Sequence, residues 1–449
     1  MEIKIRLIIM NFLQFFIWGS WMITVGNFWF ATKQWSSVEF GAIFSTMGIA
    51  SIFMPTLCGI IADRWMNTER LYGILHLLCG LCFILLPFSP TPTVFFWVIL
   101  LAMIFYMPTI SLANSIAYNT LTKNGLDTIR DFPPIRVWGT VGFIAAMWIT
   151  NLSGNKASEN QFYIAGGIAI ILFLYSFSLP KCPPEKTDQG EKTLVQLLGL
   201  DAFKLFKSHK MALFFLFSMF LGAALQLTNA YGDTFLDEFK NIPKYADSFV
   251  TRYSTIILSI SQISETLFIL AIPFFLKRLG IKKVMLMSML AWVLRFGLFG
   301  FGNPAGGLWM IILSCIIYGM AFDFFNISGS LYVEKQTDSS IRSSAQGLFM
   351  MMTNGFGAIF GSVTAGWIIQ KFFTRGFGNT NELASFLDTE PANTKMLEFI
   401  QNKQVTISAD GIFDKVIEMR EWTEIWLVFA AYSLVVAIFF AFMFKEEKR

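Results

Sequence analysis

Charged residues are scarce in this sequence. Asp, Glu, Lys and Arg together make up 14% of its 449 residues, whereas soluble domains contain about 25%. Hydrophobic residues make up 55% of the chain, and 50 residues are phenylalanine. This balance excludes a soluble globular domain and indicates a chain that crosses a lipid bilayer many times. The few cations form no dense patch, so we expect no nucleic-acid partner.

Histidine and cysteine are also rare. The two histidines, His76 and His209, are far apart in the sequence, and four of the five cysteines lie inside apolar runs. Cys79 and Cys82 form a CxxC pair, which in a membrane helix is better explained as small packing residues than as a metal or redox site. No span contains a nucleophile and a base spaced for catalysis. We therefore expect no metal, no other cofactor and no enzymatic activity.

The apolar runs predict an all-α integral membrane protein with twelve spans. A polar stretch at 181–210 begins KCPPEKTDQGEK, which is typical of a linker. It divides the chain into an N-terminal six-helix bundle (1–180) and a C-terminal six-helix bundle (211–449). The predicted spans lie near residues 6–30, 38–62, 71–90, 93–121, 134–152, 161–180, 211–232, 253–276, 283–301, 308–333, 341–371 and 423–444.

The basic residues of the short loops are unevenly distributed. Most of them fall on the side that carries both termini and the linker. Cytoplasmic loops of membrane proteins are enriched in Lys and Arg. We therefore expect both termini and the linker to lie in the cytoplasm.

The predicted eighth span contains the run IILSISQISETLFILAIPFF (256–275), with one charged residue, Glu265, near its middle. A carboxylate at the centre of a membrane helix costs about 2.5–3.5 kcal/mol on insertion scales, so it usually faces a cavity or a partner. Gln262 lies on the same helix face, and Gln226 and Asn229 share a face of span 7. These residues indicate either hydrogen bonds between helices or a polar site at the membrane midplane.

Span 5 opens with DFPPIRVWGTVGF, in which Arg136, Thr140 and Phe143 follow helical spacing and form one stripe. An arginine, a hydroxyl and an aromatic ring are unusual on a face that contacts lipid. The alternative is that Arg136 extends to the cytoplasmic interface, with its aliphatic stem in the membrane.

Two further charges fall inside predicted spans. Arg295 lies in span 9 and needs an anionic partner, and Asp323 lies in span 10. Tyr318 and Phe322 share a face of span 10, and Asp323 is rotated by about 100° from Phe322. We therefore expect Asp323 to face a neighbouring helix and to pair with Arg295.

The loop after span 2 carries a partial motif. The run GIIADRW contains Gly59, Asp63 and Arg64, and this spacing resembles the loop motif of the major facilitator superfamily. We expect a close helix approach at Gly59 and a charge pair that holds one conformation. Asn67 replaces the glycine that usually follows the aspartate. With twelve spans in two sets of six and a basic linker, the motif indicates the fold of that superfamily.

Several longer runs resemble one family within it, the nucleoside:proton symporters, or bacterial nucleoside permeases. The resemblance covers nearly the whole chain and implies proton-driven nucleoside uptake across the inner membrane. It also implies contacts between the nucleoside and the polar and aromatic positions named above. The runs are FLQFFIWGSW, DFPPIRVWGTVGF, LLGLDAFKLF, SISQISETLFIL, AFDFFNISGS and SAQGLFMMMTNGFG. The implied contact residues are Arg136, Thr140, Phe143, Gln226, Asn229, Gln262, Glu265, Tyr318 and Phe322, with Asp323 beside them.

One region departs from the family pattern. Residues 372–421 form a polar insert where family members have a short connection, and short helices are predicted at 381–387 and 394–402. The charge bias places the insert outside the cytoplasm. A lid, a partner surface and a plain loop remain open as its role.

The side chains suit an uncharged nucleoside. Amide side chains supply both donors and acceptors, the carboxylate of Glu265 can accept from ribose hydroxyls, and the phenyl rings can contact a base. A phosphorylated substrate would need several converging cations, and Arg136 is the one cation near. Burial favours the neutral form of a carboxyl group, so Glu265 and Asp323 are the candidates for carrying the proton.

Other functions remain as alternatives. A symporter of a sugar or another polar solute would use the same fold, and so would a receptor that does not transport. The receptor would need a cytoplasmic effector domain, for which the linker and tails are short. We expect a monomer whose partners are nucleosides, protons and the lipid bilayer.

Overall fold

We describe a computed structural model of the chain, which covers residues 2–184, 200–337 and 342–444. Among these residues, nine helices are long and apolar enough to cross a membrane. One of them, Ser254–Phe301, is interrupted at Gly280 and so supplies two spans. Gly280 has a φ of 78°, a conformation that glycine adopts readily. Two shorter or broken segments complete the twelve predicted spans.

The first six spans form the N-terminal half. Span 1 consists of the helix Glu2–Gly19 and, after a break, the turns Val25–Asn27 and Phe28–Thr32. The sequence predicted one unbroken helix here. Spans 2 to 6 are Ser37–Arg64, Thr68–Leu85, Pro92–Lys123, Thr128–Leu152 and Asn160–Ser176.

The last six spans form the C-terminal half. Spans 8 and 9 are the two arms of Ser254–Phe301, at 254–279 and 281–301. Span 11 contains a π-helical turn, Met351–Gly357, between Arg342–Met350 and Ala358–Phe372. Spans 7, 10 and 12 are His209–Glu238, Leu308–Gln336 and Trp422–Met443.

The predicted linker at 181–210 is only partly described. Its residues 185–199 lie outside the described residues, as do the basic residues at 445–449. The turn Leu200–Lys207 packs against span 7, where the rings of Phe206 and Phe215 are 5.3 Å apart. The linker face is the side of the protein that carries this turn and the start of span 1. The opposite side is the insert face.

The insert folds as a small unit on its own apolar core. Strand β1 (Thr374–Asn379) pairs antiparallel with strand β2 (Ile412–Arg420), and helices α1 (Thr380–Phe386) and α2 (Thr394–Asn402) lie between them. Both helices confirm the sequence prediction, whereas the two strands were not predicted. The buried core residues include Phe377, Leu383, Met396, Ile400 and Ile417.

Span 2 and span 11 bring the two halves into close contact. A β-carbon on Gly41 would lie 2.3 Å from the carbonyl oxygen of Ser362, and one on Gly48 would lie 2.6 Å from that of Gly355. Small residues at these positions let the backbones of the two helices touch, as is common in membranes. The crossing fixes how the halves meet between the midplane and the insert face.

Candidate functional site

Three charges from both halves lie near the centre of the protein. Arg136 of span 5 places its guanidinium over the ring of Phe15, with 4.0 Å between Cζ and the ring centroid. It interacts electrostatically with Glu265 of span 8 in the other half. Glu265 interacts in turn with Asp323 of span 10. The structure therefore brings together three predicted site residues that are far apart in the sequence.

Contact between spans 8 and 10 fixes the position of Glu265. The hydroxyl of Ser264 donates a hydrogen bond to the carbonyl oxygen of Ile316. A β-carbon on Gly319 would lie 2.6 Å from the carbonyl carbon and oxygen of Ser264 and 2.7 Å from the nitrogen of Glu265. Only a residue without a side chain allows span 10 to pack this closely against the backbone of Glu265.

We therefore expect Gly319→Ala to destabilise the protein. The added methyl group forces the backbones of spans 8 and 10 apart, and overpacking of this kind costs about 1–3 kcal/mol. The loss should appear as a lower free energy of unfolding in detergent. The matched control is Gly297→Ala in span 9, where a β-carbon would meet no heavy atom within 4 Å. Equal stability of the two variants would show that the contact at Gly319 is not tight.

Tyr318 and Phe322 lie on one face of span 10, as the sequence predicted. The rings of Tyr318 and Phe322 are stacked, with centroids 6.0 Å apart and an interplanar angle of 12°. Asp323 is buried, and its Oδ2 atom has no hydrogen-bond partner among the described residues. An unpaired buried carboxylate oxygen is costly, so this atom is a candidate for binding a proton or a ligand.

Arg295 does not pair with Asp323 in this structure. Its guanidinium is fully buried and donates to the carbonyl oxygen of Ser314 at 2.7 Å and to the hydroxyl of Thr228 at 3.3 Å. It also lies over the ring of Tyr318, 4.6 Å from the centroid. A backbone carbonyl, a hydroxyl and a ring face therefore satisfy the charge. The pairing of Arg295 with Asp323 stays a prediction for another conformation.

The amide side chains of spans 7 and 8 contain unused acceptors. The Oε1 atoms of Gln226 and Gln262 are buried and have no hydrogen-bond partner among the described residues. Asn229, Thr140 and Glu265 are half-buried. Buried polar atoms are nearly always hydrogen-bonded in folded proteins, so these acceptors indicate a place for water or a polar ligand. Phe143 is buried in span 5, and its backbone touches Gly19.

The motif after span 2 makes no close approach here. Gly59 has no heavy atom within 4 Å of its would-be β-carbon, so the predicted tight helix contact is wrong for this conformation. Asp63 and Arg64 are exposed at the linker face. Span 2 instead meets the other half at Gly41 and Gly48, closer to the insert face.

A cluster of buried polar contacts closes the insert face, and sequence reasoning missed it. Lys156, in the loop before span 6, donates to Asp237 of span 7 at 2.7 Å, to the carbonyl oxygen of Thr251 at 2.9 Å and to the hydroxyl of Ser254 at 2.9 Å. We name this cluster, with the two buried pairs below, the latch. The other pairs are Asn27 with Asp233 at 2.6 Å and Thr255 with Asp233 at 3.1 Å.

The latch lies between the central site and the insert face. Several hydrogen bonds between the two halves lie toward the insert face, including Trp148 to Ser259 at 2.8 Å. The central site is therefore closed off from the insert face. The spacing of Asp233 and Asp237, one helical turn apart in span 7, was the sequence signal that could have indicated the latch.

The insert strengthens this closure from outside. Arg420 donates to Glu238 of span 7 and, at 3.2 Å, to the hydroxyl of Ser37 at the start of span 2. Lys403 donates to the carbonyl oxygen of Phe30 at 3.3 Å. Burial lowers the pKa of Lys403. The insert, which is continuous with the C-terminal half, thus contacts the N-terminal half at Phe30 and Ser37.

Comparison with known proteins gives consistent results. The profile of a family described as Nucleoside H⁺ symporter matches residues 1–449. Nucleoside permease NupG of Escherichia coli (strain K12) is 45% identical over 448 residues, with 100% of this chain and 97% of the permease covered. Xanthosine permease of the same organism is 46% identical over 446 residues, with 99% and 96% covered.

Solved structures agree with the sequence comparison. The crystal structure of nucleoside transporter NupG superposes with a TM-score of 0.84 at 45% identity, and 100% of both chains is covered. A crystal structure of peptide transporter POT superposes with a TM-score of 0.65 at 14% identity, with 97% of this chain and 93% of that chain covered. The second likeness concerns the fold alone.

Proposed function

Because this chain belongs to the nucleoside H⁺ symporter family, we propose that it takes up nucleosides together with protons across the inner membrane. The observation that carries the proposal is the central site, where Glu265 interacts electrostatically with Arg136 of the other half and the Oε1 atom of Gln262, three residues before Glu265 on the same helix, has no hydrogen-bond partner among the described residues. A site between two halves at the midplane is what alternating access requires. The family is one of transporters, and neither a sugar carrier nor a receptor is favoured.

The chemistry of the site suits a nucleoside. Ribose hydroxyls can donate to the free acceptors of Gln226 and Gln262. The stacked rings of Tyr318 and Phe322 offer an aromatic surface for a base. We assign the substrate contacts to Arg136, Thr140, Phe143, Gln226, Asn229, Gln262, Glu265, Tyr318 and Phe322.

Proton coupling is assigned to Glu265 and Asp323. The two carboxyl groups interact electrostatically with each other, and Glu265 also interacts electrostatically with Arg136 of the opposite half. A proton on Glu265 would weaken its attraction to Arg136 and so change how the halves hold together at the midplane. Because proton and nucleoside meet at one residue, each biases the same equilibrium, which is the condition for coupling.

The decisive experiment is uptake of labelled uridine by cells that lack their own nucleoside permeases. We expect unlabelled uridine and adenosine to compete strongly. Uracil and a disaccharide should compete poorly, since a site built to hydrogen-bond ribose leaves its polar groups unpaired without it. Cells with an empty vector are the control. Equal competition by uracil and uridine would contradict ribose recognition, and uptake of the disaccharide alone would contradict the nucleoside assignment.

We assign the linker face to the cytoplasm, because basic residues of the short loops concentrate there. The protein then has both termini inside, and the latch lies on the side that faces away from the cytoplasm. A reporter that is active only in the cytoplasm should be active when fused after Arg449 and inactive when fused at Asp410 in the insert. The opposite pattern would reverse the orientation.

A further inference from the structure

A cavity of about 340 Å³ lies on the insert face, directly outside the latch. We name it the vestibule. Both halves and the insert contribute to its walls, and its volume falls within the range of small-molecule pockets, about 300–1,000 Å³. The wall residues used below are Asn27 and Phe30 of span 1, Thr234 of span 7, and Glu398, Phe399 and Asn402 of α2.

The carboxylates that line the vestibule have cationic partners, and the lining cation Lys403 donates to the carbonyl oxygen of Phe30 at 3.3 Å. Each carboxylate of span 7 and of the following loop that lines the cavity has a cationic partner within the protein. A charged ligand would have to compete with these ion pairs, so the vestibule favours a neutral molecule. The pairs are Asp237 with Lys156 and Lys240, Glu238 with Arg420, and Asp247 with Lys395.

Several uncharged polar and aromatic residues line the vestibule. Thr234 lines the cavity although it is only 1% exposed, and its hydroxyl has no hydrogen-bond partner among the described residues. Asn402 presents an exposed amide with donors and an acceptor. Phe30 and Phe399 add aromatic surface to the walls. Hydroxyl, amide and ring groups in one neutral cavity match a molecule that combines hydroxyls with a flat heterocycle.

We propose that the vestibule binds a nucleoside before it passes the latch. This inference rests on the proposed function and adds a second binding position on the outer side of the same path. Asn27 lines the vestibule and also donates to Asp233 in the latch at 2.6 Å. The walls belong to different halves, so opening of the latch separates Phe30 from the insert. The same movement releases the nucleoside toward the central site.

Thiol protection tests the inference on the full-length protein. The five native cysteines are buried, so an introduced thiol is the one that a membrane-impermeant maleimide modifies readily. We expect uridine to slow modification of Asn402→Cys severalfold and to leave Gln401→Cys unchanged, because Gln401 is exposed on the same helix but does not line the cavity. Glu398→Cys serves as a second reporter if Asn402→Cys folds poorly.

Two further arms distinguish binding in the vestibule from binding at the central site and from an effect of ionic strength. Protection should persist in a Gln262→Ala background, which weakens the central site. The vestibule site would be overturned by loss of protection in the Gln262→Ala background. It would also be overturned if uridine protected Asn402→Cys and Gln401→Cys equally, or if NaCl protected in place of uridine. Wild-type uridine uptake without protection would overturn this inference alone. Absence of uridine uptake by the wild type would overturn the proposed function and this inference with it.

Discussion

Lys156→Met is expected to shift the protein toward a state that is open at the insert face. Lys156 belongs to the N-terminal half, and its three hydrogen-bond acceptors belong to the C-terminal half. The side chains of Lys156 and Asp237 are 14% and 6% exposed, so water screens this ion pair little. Hydrogen bonds to charged groups contribute about 1.5–3 kcal/mol.

The substitution should therefore change the equilibrium between closed and open states by roughly tenfold to a hundredfold, since 1.4 kcal/mol is a factor of ten. Asp237 keeps Lys240 as a partner at 2.5 Å, so the variant leaves no isolated buried charge and should fold. The measurement is the distance between spin labels at Ser153→Cys and Phe249→Cys, on opposite halves of the insert face. We expect a longer-distance population to grow.

The matched control is Lys33→Met. Lys33 also forms an ion pair at the insert face, at 3.7 Å from Glu159, but both residues belong to the N-terminal half. Its loss should leave the label distances unchanged. Equal distance distributions in Lys156→Met and the wild type would show that the latch does not hold the halves together.

Glu265→Gln is expected to abolish accumulation of nucleoside against its gradient while exchange of nucleoside across the membrane continues. Glutamine keeps the shape and the polarity of the side chain but cannot take up and release a proton. Without a proton at the residue that faces Arg136 and Asp323, the pH gradient has no means of biasing the halves. Substrate binding relies also on the amides and rings, so exchange should remain measurable.

Two comparisons make this prediction specific. Glu424→Gln replaces an exposed carboxylate in the first turn of span 12 and should leave accumulation intact. Asp323→Asn should weaken accumulation if the second carboxyl group shares the proton. If Asp323→Asn gives the uncoupled pattern and Glu265→Gln does not, Asp323 is the proton carrier. Accumulation by both variants would exclude both carboxyl groups.

The sequence predicted the spans and much of the candidate site because their signals are local. A twenty-residue apolar run identifies a span, and helical spacing placed Gln262 beside Glu265 and Tyr318 beside Phe322. The family resemblance implied that Arg136 and Glu265 contact one nucleoside, and the structure adds that the two side chains interact electrostatically. These features need only residues close in sequence or a known arrangement of helices.

Contacts between distant segments could not be predicted in this way. Lys156 meets Asp237 across 81 positions, and no periodic pattern relates a loop lysine to an aspartate in another half. The acceptors of Arg295 include a backbone carbonyl, which every residue possesses. Strand β1, TRGFGN, contains two glycines, which are depleted in strands, and its partner follows more than thirty residues later.

The vestibule could not be predicted from the sequence for the same reason. Its walls combine the end of span 1, the end of span 7 and helix α2, which lie in three separate parts of the sequence. The sequence predicted α2 but left the role of the insert open. Phe399 and Asn402 line the same cavity as Asn27 and Phe30, and this shared wall places the insert beside the proposed substrate path.

We propose that nucleoside and proton cross the membrane together through the site around Glu265. The most direct measurement uses proteoliposomes at equal internal and external pH, with a pH-sensitive dye inside. Uridine added outside should acidify the interior of wild-type liposomes as it enters, and the Glu265→Gln protein should carry uridine without acidification. Uridine entry without acidification in the wild type would contradict the account.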